Sequence, residues 1–524
     1  MTFSQGQAAG NRPASDIRIS TATHVWVLIA VCLLAHWELW SRISAPTFGW
    51  RPAELASIAS NYYHNGFHFF YPQVMWGGAG AGHVEMEFPL QPFVTALLFK
   101  VFGQHDALCE VLPLVFGFGI VWVTGALARY LFGDVAGLAA GFNVAVSPTL
   151  VNITSYGMWA DPPMVFFGAL GIYWLLRWSD DDSKWYLYAG TAAIALAILL
   201  KITGLYLGFV VLYLFIRRYG LQFLKQPTTW IAAAAILIPT ILWAKHAYNL
   251  YLEDGNTFGI IGGGYLKFGT KSTLTDVYIY KQTAIRIAVY HLTPLGFLAF
   301  SYGVYLSLIR RDAFVFSWLG AVALHALVAF EGIQHAGHIG YLLTILPACN
   351  LVAGLGFQTG LAGLRRRLGD RWRPPVLVPL IAAFSLLVVV NVAVASDRFN
   401  NRDIAFENAF FEGKRLTGLK VAALTRPDSL LIVADHEMDG RTPQTWMTPP
   451  EVFFFGHRRG WYMTLSYATP ERIEELRTKG GEYFVVSAHS LTQYADHYSA
   501  LDTYLNQHFR KINDQDGIIY DLRR

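Results

Sequence analysis

The chain has 524 residues, of which 54% are hydrophobic and only 15% are charged, whereas an average soluble domain has about 25% charged residues. This composition excludes an ordinary soluble enzyme, and the small net charge of +4 does not indicate a nucleic-acid partner. Stretches of about 18 or more mostly apolar residues recur along the first three quarters of the chain, and each can cross a bilayer core as a helix. The chain is therefore predicted to be a multi-pass membrane protein.

The N-terminal residues 1–22 are polar and precede an apolar run that has no cleavage site, which predicts a cytoplasmic segment followed by a retained first span. Apolar runs predict about eleven transmembrane helices, near residues 23–42, 109–127, 133–149, 160–177, 185–201, 203–216, 229–247, 289–309, 313–330, 339–359 and 376–396. The predicted fold class is thus an all-α membrane bundle over residues 23–397.

Basic residues cluster in alternate connections between these spans. The clusters are Arg129; Arg177 with Lys184; Arg217, Arg218 and Lys225; Arg310 and Arg311; and Arg365, Arg366, Arg367, Arg371 and Arg373. Because short cytoplasmic loops carry an excess of Lys and Arg, these connections are predicted to be cytoplasmic. The opposite connections, including a large first loop over residues 43–108, are then predicted to face the non-cytoplasmic side.

The three cysteines lie in or at the start of apolar runs and have no metal-type spacing. Cys32, Cys109 and Cys349 are therefore interpreted as small hydrophobic residues, not as a disulfide or zinc framework.

Three carboxylates stand out in the first outer loop. Glu54 lies at the start of a helix-like stretch, where an acid is also favoured simply by the helix dipole. Glu85 and Glu87 lie in GHVEMEFPLQPF, two residues apart, so that a strand would direct both side chains to one face. Pro89 and Pro92 follow and separate this acidic segment from the next apolar stretch. At least one of the pair is predicted to be functional, although a solvated loop is the plain alternative.

Two further charged residues lie at the predicted outer edge of the bundle. Asp161 precedes two prolines at the start of a span, which is typical of a helix N-cap, and a role in the site would be additional. Lys201 ends another span on the outer side, against the charge bias of the cytoplasmic loops. It could extend to the interface, but an ionisable group near membrane depth is a functional candidate that calls for an anionic partner.

Two histidines, His335 and His338, are three residues apart before the apolar run that starts at residue 342. On a helix they would share a face. Zinc normally takes a third protein ligand, and none is identifiable by spacing, so no metal site is assigned and no cofactor is required. Metal ligation without a third identifiable ligand, anion binding, hydroxyl contact and an ordinary interfacial position all stay open for these two side chains.

The tail from residue 398 to residue 524 has a different character and is predicted to be a small soluble α/β domain on the outer face. Strands are predicted over residues 428–435 and 482–487, a helix over 470–480, and a terminal hairpin over 511–522 with its turn at Asp516 and Gly517. Residues 457–461 (HRRGW) favour a solvated turn over a phosphate contact.

Acids and bases at the outer edge of an apolar bundle suit a reaction between a lipid substrate and a second substrate that arrives from water. A carboxylate in a partly dry cleft can take the proton of an attacking hydroxyl, and Lys201 with the histidines could stabilise a phosphate leaving group. Sugar transfer from a polyprenyl phosphate meets both requirements. The hypothesis requires Glu54, Glu85, Glu87, Asp161 and Lys201 to converge on one pocket.

The membrane part also resembles the GT-C superfamily of polytopic glycosyltransferases, in the branch similar to dolichyl-phosphate-mannose–protein mannosyltransferases and to the lipid A aminoarabinose transferase. The features that carry the resemblance are the first loop with Glu54, Asn61-Tyr62-Tyr63, Tyr71-Pro72 and Glu85 to Leu90; the Asp161-Pro162-Pro163 span start; and the segment from His338 to Pro347 with Tyr341.

The resemblance implies an inverting transferase in a bacterial inner membrane whose site faces the periplasm, with a polyprenyl-phosphate sugar as donor and a lipid, glycan or protein as acceptor. It makes Glu54 the counterpart of the family's catalytic acidic motif, with Glu85 and Glu87 as alternatives because only one carboxylate stands at residues 51–54. It adds Tyr62 and Tyr341 to the predicted substrate-binding residues Asp161, Lys201, His335 and His338. A transporter and a polysaccharide polymerase or ligase are the competing functions.

Overall fold

The computed structural model describes residues 18–42, 49–261, 274–329, 339–369, 374–399, 405–435 and 450–523. His335 and His338 lie outside the described residues, so their predicted roles stay predictions. The helices of the N-terminal half are α1 (Thr21–Ala35), α2 (Trp37–Arg42), α3 (Trp50–Asn65), α4 (Leu90–Phe102), α5 (Leu108–Phe132), α6 (Asp134–Ala145), α7 (Pro148–Ser155), α8 (Asp161–Asp181), α9 (Lys184–Leu200), α10 (Gly208–Tyr219) and α11 (Pro227–Asp254). Those that follow before the C-terminal sheet are α12 (Val277–Ile285), α13 (Pro294–Arg310), α14 (Ala313–Val328), α15 (Ile345–Leu368), α16 (Pro374–Phe399) and α17 (Ala405–Leu424).

Fewer of the described helices can cross a membrane than the sequence predicts. Over the described residues, four helical segments are long and apolar enough to cross a membrane: residues 108–132, 202–225, 227–254 and 340–368. Two bent pairs raise the number to six if each pair is one span, namely α6 with α7, bent by 54°, and residues 277–291 with α13, bent by 104°. The predicted number of eleven is therefore not confirmed, because several apolar runs form shorter helices or break within the run.

The apolar helices share one large buried core, to which α1, α5 to α10, α14 and α15 all contribute. The three cysteines are free and buried, as small hydrophobic residues would be. Helices α13 and α15 approach each other closely at glycines, since a Cβ atom added at Gly303 would overlap the Val352 carbonyl and one at Gly356 would overlap the Ala299 carbonyl. Small residues of this kind let helix backbones pack directly in membranes.

Gly356→Ala is expected to destabilise the fold, because the added methyl group must push α13 away from α15, at a cost of about 1–3 kcal/mol for an overpacked site. Gly360 is the matched control, because it lies one turn further along the same helix and an alanine Cβ there would have no neighbouring atom within 4 Å. Gly360→Ala should leave the thermal unfolding midpoint in detergent unchanged or raise it, since alanine favours helix. Equal midpoints for the two variants would contradict the close contact.

The first long loop, which the sequence predicts to lie on the outer side, folds as a unit around α3 and α4. Its segment between them contains a short strand, β1 (Val84–Glu85), which pairs in parallel with β2 (Asn256–Thr257) just after α11. Buried residues of α3 and α4 pack with Val84 and Met86 in a second apolar core, which also includes Phe258. The loop is thus anchored to the chain beyond α11.

The C-terminal part contains a five-stranded sheet. Its elements are β3 (Leu430–Asp435), α18 (Glu451–Gly456), β4 (Arg459–Thr464), α19 (Pro470–Thr478), β5 (Gly481–Val486), α20 (Leu491–His497), α21 (Ser499–His508), β6 (Arg510–Asn513) and β7 (Ile518–Asp521). The strand order is β4-β3-β5-β7-β6, with β4, β3 and β5 parallel and the other pairs antiparallel. The predicted strands and the terminal hairpin are confirmed, and the two hairpin turn residues both have positive φ. A separate soluble domain over residues 398–524 stays a prediction.

The prediction of a solvated turn over residues 457–461 is wrong. Arg458 is buried, and its guanidinium donates to the Thr425 carbonyl at 2.7 Å and to the Gly456 carbonyl at 3.0 Å. The next residue, Arg459, begins β4. The basic residues suggested exposure, whereas the backbone carbonyl groups of neighbouring helices satisfy the Arg458 charge inside the protein.

The sheet and the first outer loop are joined directly. The Gly78 amide donates to the Gly460 carbonyl at 2.7 Å, and the Gly460 amide donates to the Met75 carbonyl at 3.0 Å. Gly77 also forms a bridge with Trp461. Residues 75–78 therefore extend the sheet at the free side of β4, which we call the loop-covered edge.

Candidate active site

The centre of the candidate site is the N-terminal part of α3, a helix that is not among the candidate membrane spans. Glu54 has no exposed surface. The Trp50 indole N–H donates to Glu54 Oε1 at 2.7 Å, and the Arg51 Nη1 atom lies 2.7 Å from Glu54 Oε2 as an ion pair. Residues three and four positions apart share a helix face, so the sequence WRPAE itself brings an indole, a guanidinium and a carboxyl group together.

The pKa of Glu54 lies well above that of an exposed glutamate. Burial raises its pKa, while Arg51 and the Trp50 hydrogen bond lower it and the carboxyl groups of Glu451 and Glu87 raise it again. The result is a pKa of about 8. A carboxyl group with a pKa near neutrality is suited to exchange a proton during catalysis.

Arg51 is the residue around which the site is organised. Its guanidinium lies 4.6 Å from the centre of the Phe258 ring, on the segment that pairs with the first loop. Burial lowers the pKa of Arg51, but Glu54, Glu87, Tyr341 and Asp161 together raise it above its ordinary value. The sequence hypothesis missed Arg51, although a cation on the outer side is the same signal that drew attention to Lys201.

Asp161 and Lys201 form a nearly buried ion pair. The Lys201 Nζ atom donates to both carboxylate oxygens of Asp161, at 2.7 and 2.8 Å, and the Lys201 and Asp161 side chains are 13% and 4% exposed, respectively. The ammonium also lies 4.5 Å from the centre of the Tyr341 ring. The anionic partner predicted for Lys201 is thus Asp161 of the same chain.

The predicted N-cap role of Asp161 is wrong. Asp161 is the first residue of α8, the cap position is Ala160, and no side chain caps this helix end. Both oxygens of the carboxylate instead accept charge-assisted hydrogen bonds from Lys201. The alternative that Lys201 extends to the membrane interface is also wrong, because its ammonium group binds Asp161.

The two carboxylates of the GHVEMEFPLQPF segment have different surroundings. Glu85 is fully buried and accepts hydrogen bonds from the Thr257 hydroxyl, the Ile261 amide at 2.9 Å and the Ile260 amide at 3.3 Å. Burial raises the pKa of Glu85 in spite of these donors. Glu87 is half-buried and is one of the carboxyl groups that act on Arg51. Glu85 thus binds the two outer segments together, and Glu87 belongs to the charged cluster.

The predicted tyrosines also differ. The Tyr62 hydroxyl donates to the Phe69 carbonyl at 2.7 Å inside the first loop, and Tyr62 lines a cavity of about 110 Å³ together with His68, Tyr71 and His83. Tyr341 lies over Lys201, and its backbone carbonyl is 3.1 Å from the Nε2 atom of His325. The sequence hypothesis missed His325, an ionisable residue near the outer end of an apolar run, which is by itself a functional signal.

The described residues therefore bring one connected cluster together around Arg51: Glu54, Glu87, Asp161, Lys201 and Tyr341. Glu85 borders the cluster through the same loop. Over the part of the chain that the structure describes, no group of three or more His, Cys, Asp or Glu side chains could hold a metal ion.

Comparisons with known proteins agree on the architecture. A family model described as dolichyl-phosphate-mannose-protein mannosyltransferase matches residues 87–244. The crystal structure of ArnT from Cupriavidus metallidurans in the apo state aligns with a TM-score of 0.64 at 15% identity, over 96% of this chain and 98% of that chain. This chain has the GT-C glycosyltransferase fold. The resemblance seen in the sequence is confirmed.

Two further structures share the GT-C fold with this chain. ArnT from Cupriavidus metallidurans bound to undecaprenyl phosphate aligns with a TM-score of 0.62 at 14% identity, over 96% of this chain and 98% of that chain. The oligosaccharyltransferase AglB from Archaeoglobus fulgidus, in complex with an inhibitory peptide and a dolichol-phosphate, aligns with a TM-score of 0.55 at 13% identity, over 88% of this chain and 69% of that chain. A search of curated proteins found no match.

The segment matched by the family model covers only part of the candidate site. Residues 87–244 include Glu87, Asp161 and Lys201 but not Arg51 or Glu54. The family match thus reaches the ion pair at the edge of the bundle, whereas the assignment of Glu54 depends on the geometry of α3.

Proposed function

We propose that the chain is an integral-membrane glycosyltransferase that moves a sugar from a polyprenyl-phosphate donor to an acceptor hydroxyl, with inversion at the anomeric carbon. The observation that carries this proposal is the convergence of the Arg51–Glu54 and Asp161–Lys201 ion pairs at one end of an apolar GT-C bundle. The undecaprenyl phosphate bound to ArnT and the dolichol-phosphate bound to AglB support the donor class.

The proposed reaction is a single displacement. Glu54 accepts the proton of the acceptor hydroxyl as its oxygen forms a bond to the anomeric carbon. The bond between that carbon and the phosphate oxygen breaks, and the polyprenyl phosphate leaves with the electron pair. Arg51 and Lys201 supply positive charge where the leaving group becomes more negative, which is the main source of stabilisation in such a transfer.

The other predicted residues keep subordinate roles in the proposal. Asp161 and Tyr341 hold Lys201, and Glu87 holds Arg51. Tyr62, His335 and His338 are proposed to contact substrate, and Glu85 to hold the loop that closes the site. Residues 398–524 are proposed to cover the site from the outer side, next to the membrane part at 23–397.

The proposed orientation places the site at the non-cytoplasmic face, in a bacterial inner membrane facing the periplasm. Residues 202–225 form one of the helical segments long and apolar enough to cross a membrane, and they begin directly after Lys201. Their far end carries Arg217, Arg218 and Lys225. Basic residues at this far end support a cytoplasmic location for it.

The test is sugar transfer by the purified chain in lipid nanodiscs. A panel of radiolabelled undecaprenyl-phosphate sugars is mixed with separated lipid, glycan and protein fractions of the cell envelope. Label is expected to enter one fraction, with an inverted anomeric linkage. Uptake of label into sealed vesicles without any covalent product would overturn the proposal in favour of a transporter, and growth of a long polymer would indicate a polymerase or ligase.

A further inference from the structure

Glu451 is a buried acid for which the proposed reaction has no role so far. It is the first residue of α18, it has no exposed surface, and neither of its carboxylate oxygens has a hydrogen-bond partner in another residue that the structure describes. A buried carboxyl group without such a partner is costly in its charged form. A buried acid of this kind is a candidate for a functional role.

Packing places Glu451 against the helix that carries Glu54. Phe454 and Phe455, on the same short helix as Glu451, share an apolar core with Ala53 and Leu55 of α3. Both acids are fully buried, so little water screens the interaction between them. Glu451 is among the groups that act on Glu54 from outside its own helix.

A second buried ion pair acts on the charge of Glu451. The Lys414 Nζ atom of α17 lies 2.8 Å from Asp435 Oδ2 at the end of β3. Asp435 Oδ1 in turn accepts hydrogen bonds from the Ser487 and Ser490 hydroxyls. Burial raises the pKa of Glu451, Lys414 lowers it and Asp435 raises it, which leaves the pKa at about 7.

We propose that Glu451 is a positioning residue for the transfer reaction, through which the C-terminal sheet controls whether Glu54 holds a proton. The inference rests on the proposed function, in which Glu54 is the proton acceptor. Glu451 stands between the Arg51–Glu54 pair of the site and the Lys414–Asp435 pair of the C-terminal part, because it acts on Glu54 and is acted on by Lys414 and Asp435. A change in the sheet therefore reaches the acid in the site without a substrate contact.

The sign of the effect follows from the charges around Glu54. Arg51 on its own helix favours the ionised form, whereas Glu87 of the first loop and Glu451 of α18 disfavour it. Glu451 is itself held between Lys414 and Asp435. Removal of the Glu451 charge takes away one repulsive neighbour, so Glu54 should release its proton at a lower pH. Glu54 keeps its proton until its own pKa of about 8 and is therefore neutral while Glu451 titrates at about 7, so Glu54→Gln should leave the Glu451 midpoint unchanged.

Glu451→Gln tests this with infrared spectroscopy of the full chain in nanodiscs, titrated over pH without substrate. The stretch of the protonated carboxyl group that disappears in Glu54→Gln belongs to Glu54. In Glu451→Gln its midpoint should fall by roughly 0.5–1 pH unit, as expected for loss of one nearby like charge. Glu475→Gln is the matched control, because Glu475 lies exposed on α19 in ion pairs with Arg472 and Lys479, and it should leave the midpoint unchanged.

A second variant covers the case that Glu451→Gln does not fold. Glu451→Ala also removes the charge and needs no hydrogen-bond partner inside the protein, and the Glu54 midpoint should fall in that variant as well. Unchanged Glu54 midpoints in these measurements overturn the inference even if sugar transfer is found. Shifted midpoints in a chain that transfers no sugar would support the coupling and overturn only the proposed function. Where transfer is found, the acid limb of its pH profile should move down with the Glu54 midpoint.

Discussion

Glu54→Gln is expected to reduce sugar transfer by about 10³-fold, within the range that loss of a general base produces. The glutamine amide has nearly the same shape and can still accept the Trp50 indole hydrogen bond, so folded protein should be recovered in normal yield. The measurement is the initial rate of label transfer in nanodiscs together with the thermal unfolding midpoint. Loss of rate with an unchanged midpoint is the expected pair of results.

Glu253 supplies the matched control for this variant. It lies exposed near the end of α11, on the same outer side as α3 in the proposed orientation. Glu253→Gln should transfer sugar at the normal rate. Full turnover by Glu54→Gln would refute the assignment of the base and leave Glu87 as the remaining carboxylate of the cluster with that role open.

The pH dependence of the transfer rate tests the same assignment of Glu54 as the base. The pKa of Glu54 is about 8, so the carboxyl group is protonated below this pH and cannot accept a proton. The wild-type rate should therefore rise as the pH increases from 6 through 8 and level off above it. In Glu54→Gln the residual rate should lose this rise, because the group that titrates is gone.

Lys201→Met is expected to abolish transfer and to destabilise the fold at once. Without the ammonium the Asp161 carboxylate, which is 4% exposed, remains buried without its partner, and breaking such a pair costs about 3–5 kcal/mol. Transfer should fall because the site loses one of the two cations near the leaving phosphate. The unfolding midpoint in detergent and the transfer rate are measured on the same preparation.

The double variant Lys201→Met/Asp161→Asn separates these two effects. It removes both charges, so no uncompensated carboxylate stays buried, and stability should return most of the way to the wild-type value. Transfer should stay absent, since the cation is still missing. A double variant that transfers sugar normally would show that Lys201 serves only to neutralise Asp161. That result would refute the proposed phosphate-binding role of Lys201.

Much of the fold was predictable, because it depends on local pattern. The apolar runs revealed a membrane protein, and β3 and β5 followed from short runs of β-branched and aromatic residues that end at an acid or at Ser487. The number of spans was not predictable from run length, because bends such as the one of 54° between α6 and α7 divide a run without changing its hydropathy. Strand β4 was missed because it begins with Arg459 and Gly460, which are typical of turns.

The candidate site was predictable in its residue types but not in its pairings. Charged residues on the outer side of an apolar bundle were conspicuous, and the structure brings Glu54, Asp161 and Lys201 into one cluster. That Lys201 would meet Asp161, 40 positions earlier, depends on how α8 and α9 pack. The link from Glu54 to Glu451 joins distant parts of the sequence, and no short pattern in the chain carries such information.

The loop-covered edge bears on how the two ends of the polypeptide depend on each other. If residues 405–523 were produced alone, β4 would lose the backbone groups of Met75 and Gly78 that now satisfy Gly460. An uncovered strand of this kind tends to recruit other chains. The C-terminal part therefore cannot be exchanged by itself between chains of this fold. A functional chimera must carry the segment near residue 77 along with it, and during biosynthesis that segment must wait for a strand partner that is synthesised hundreds of residues later.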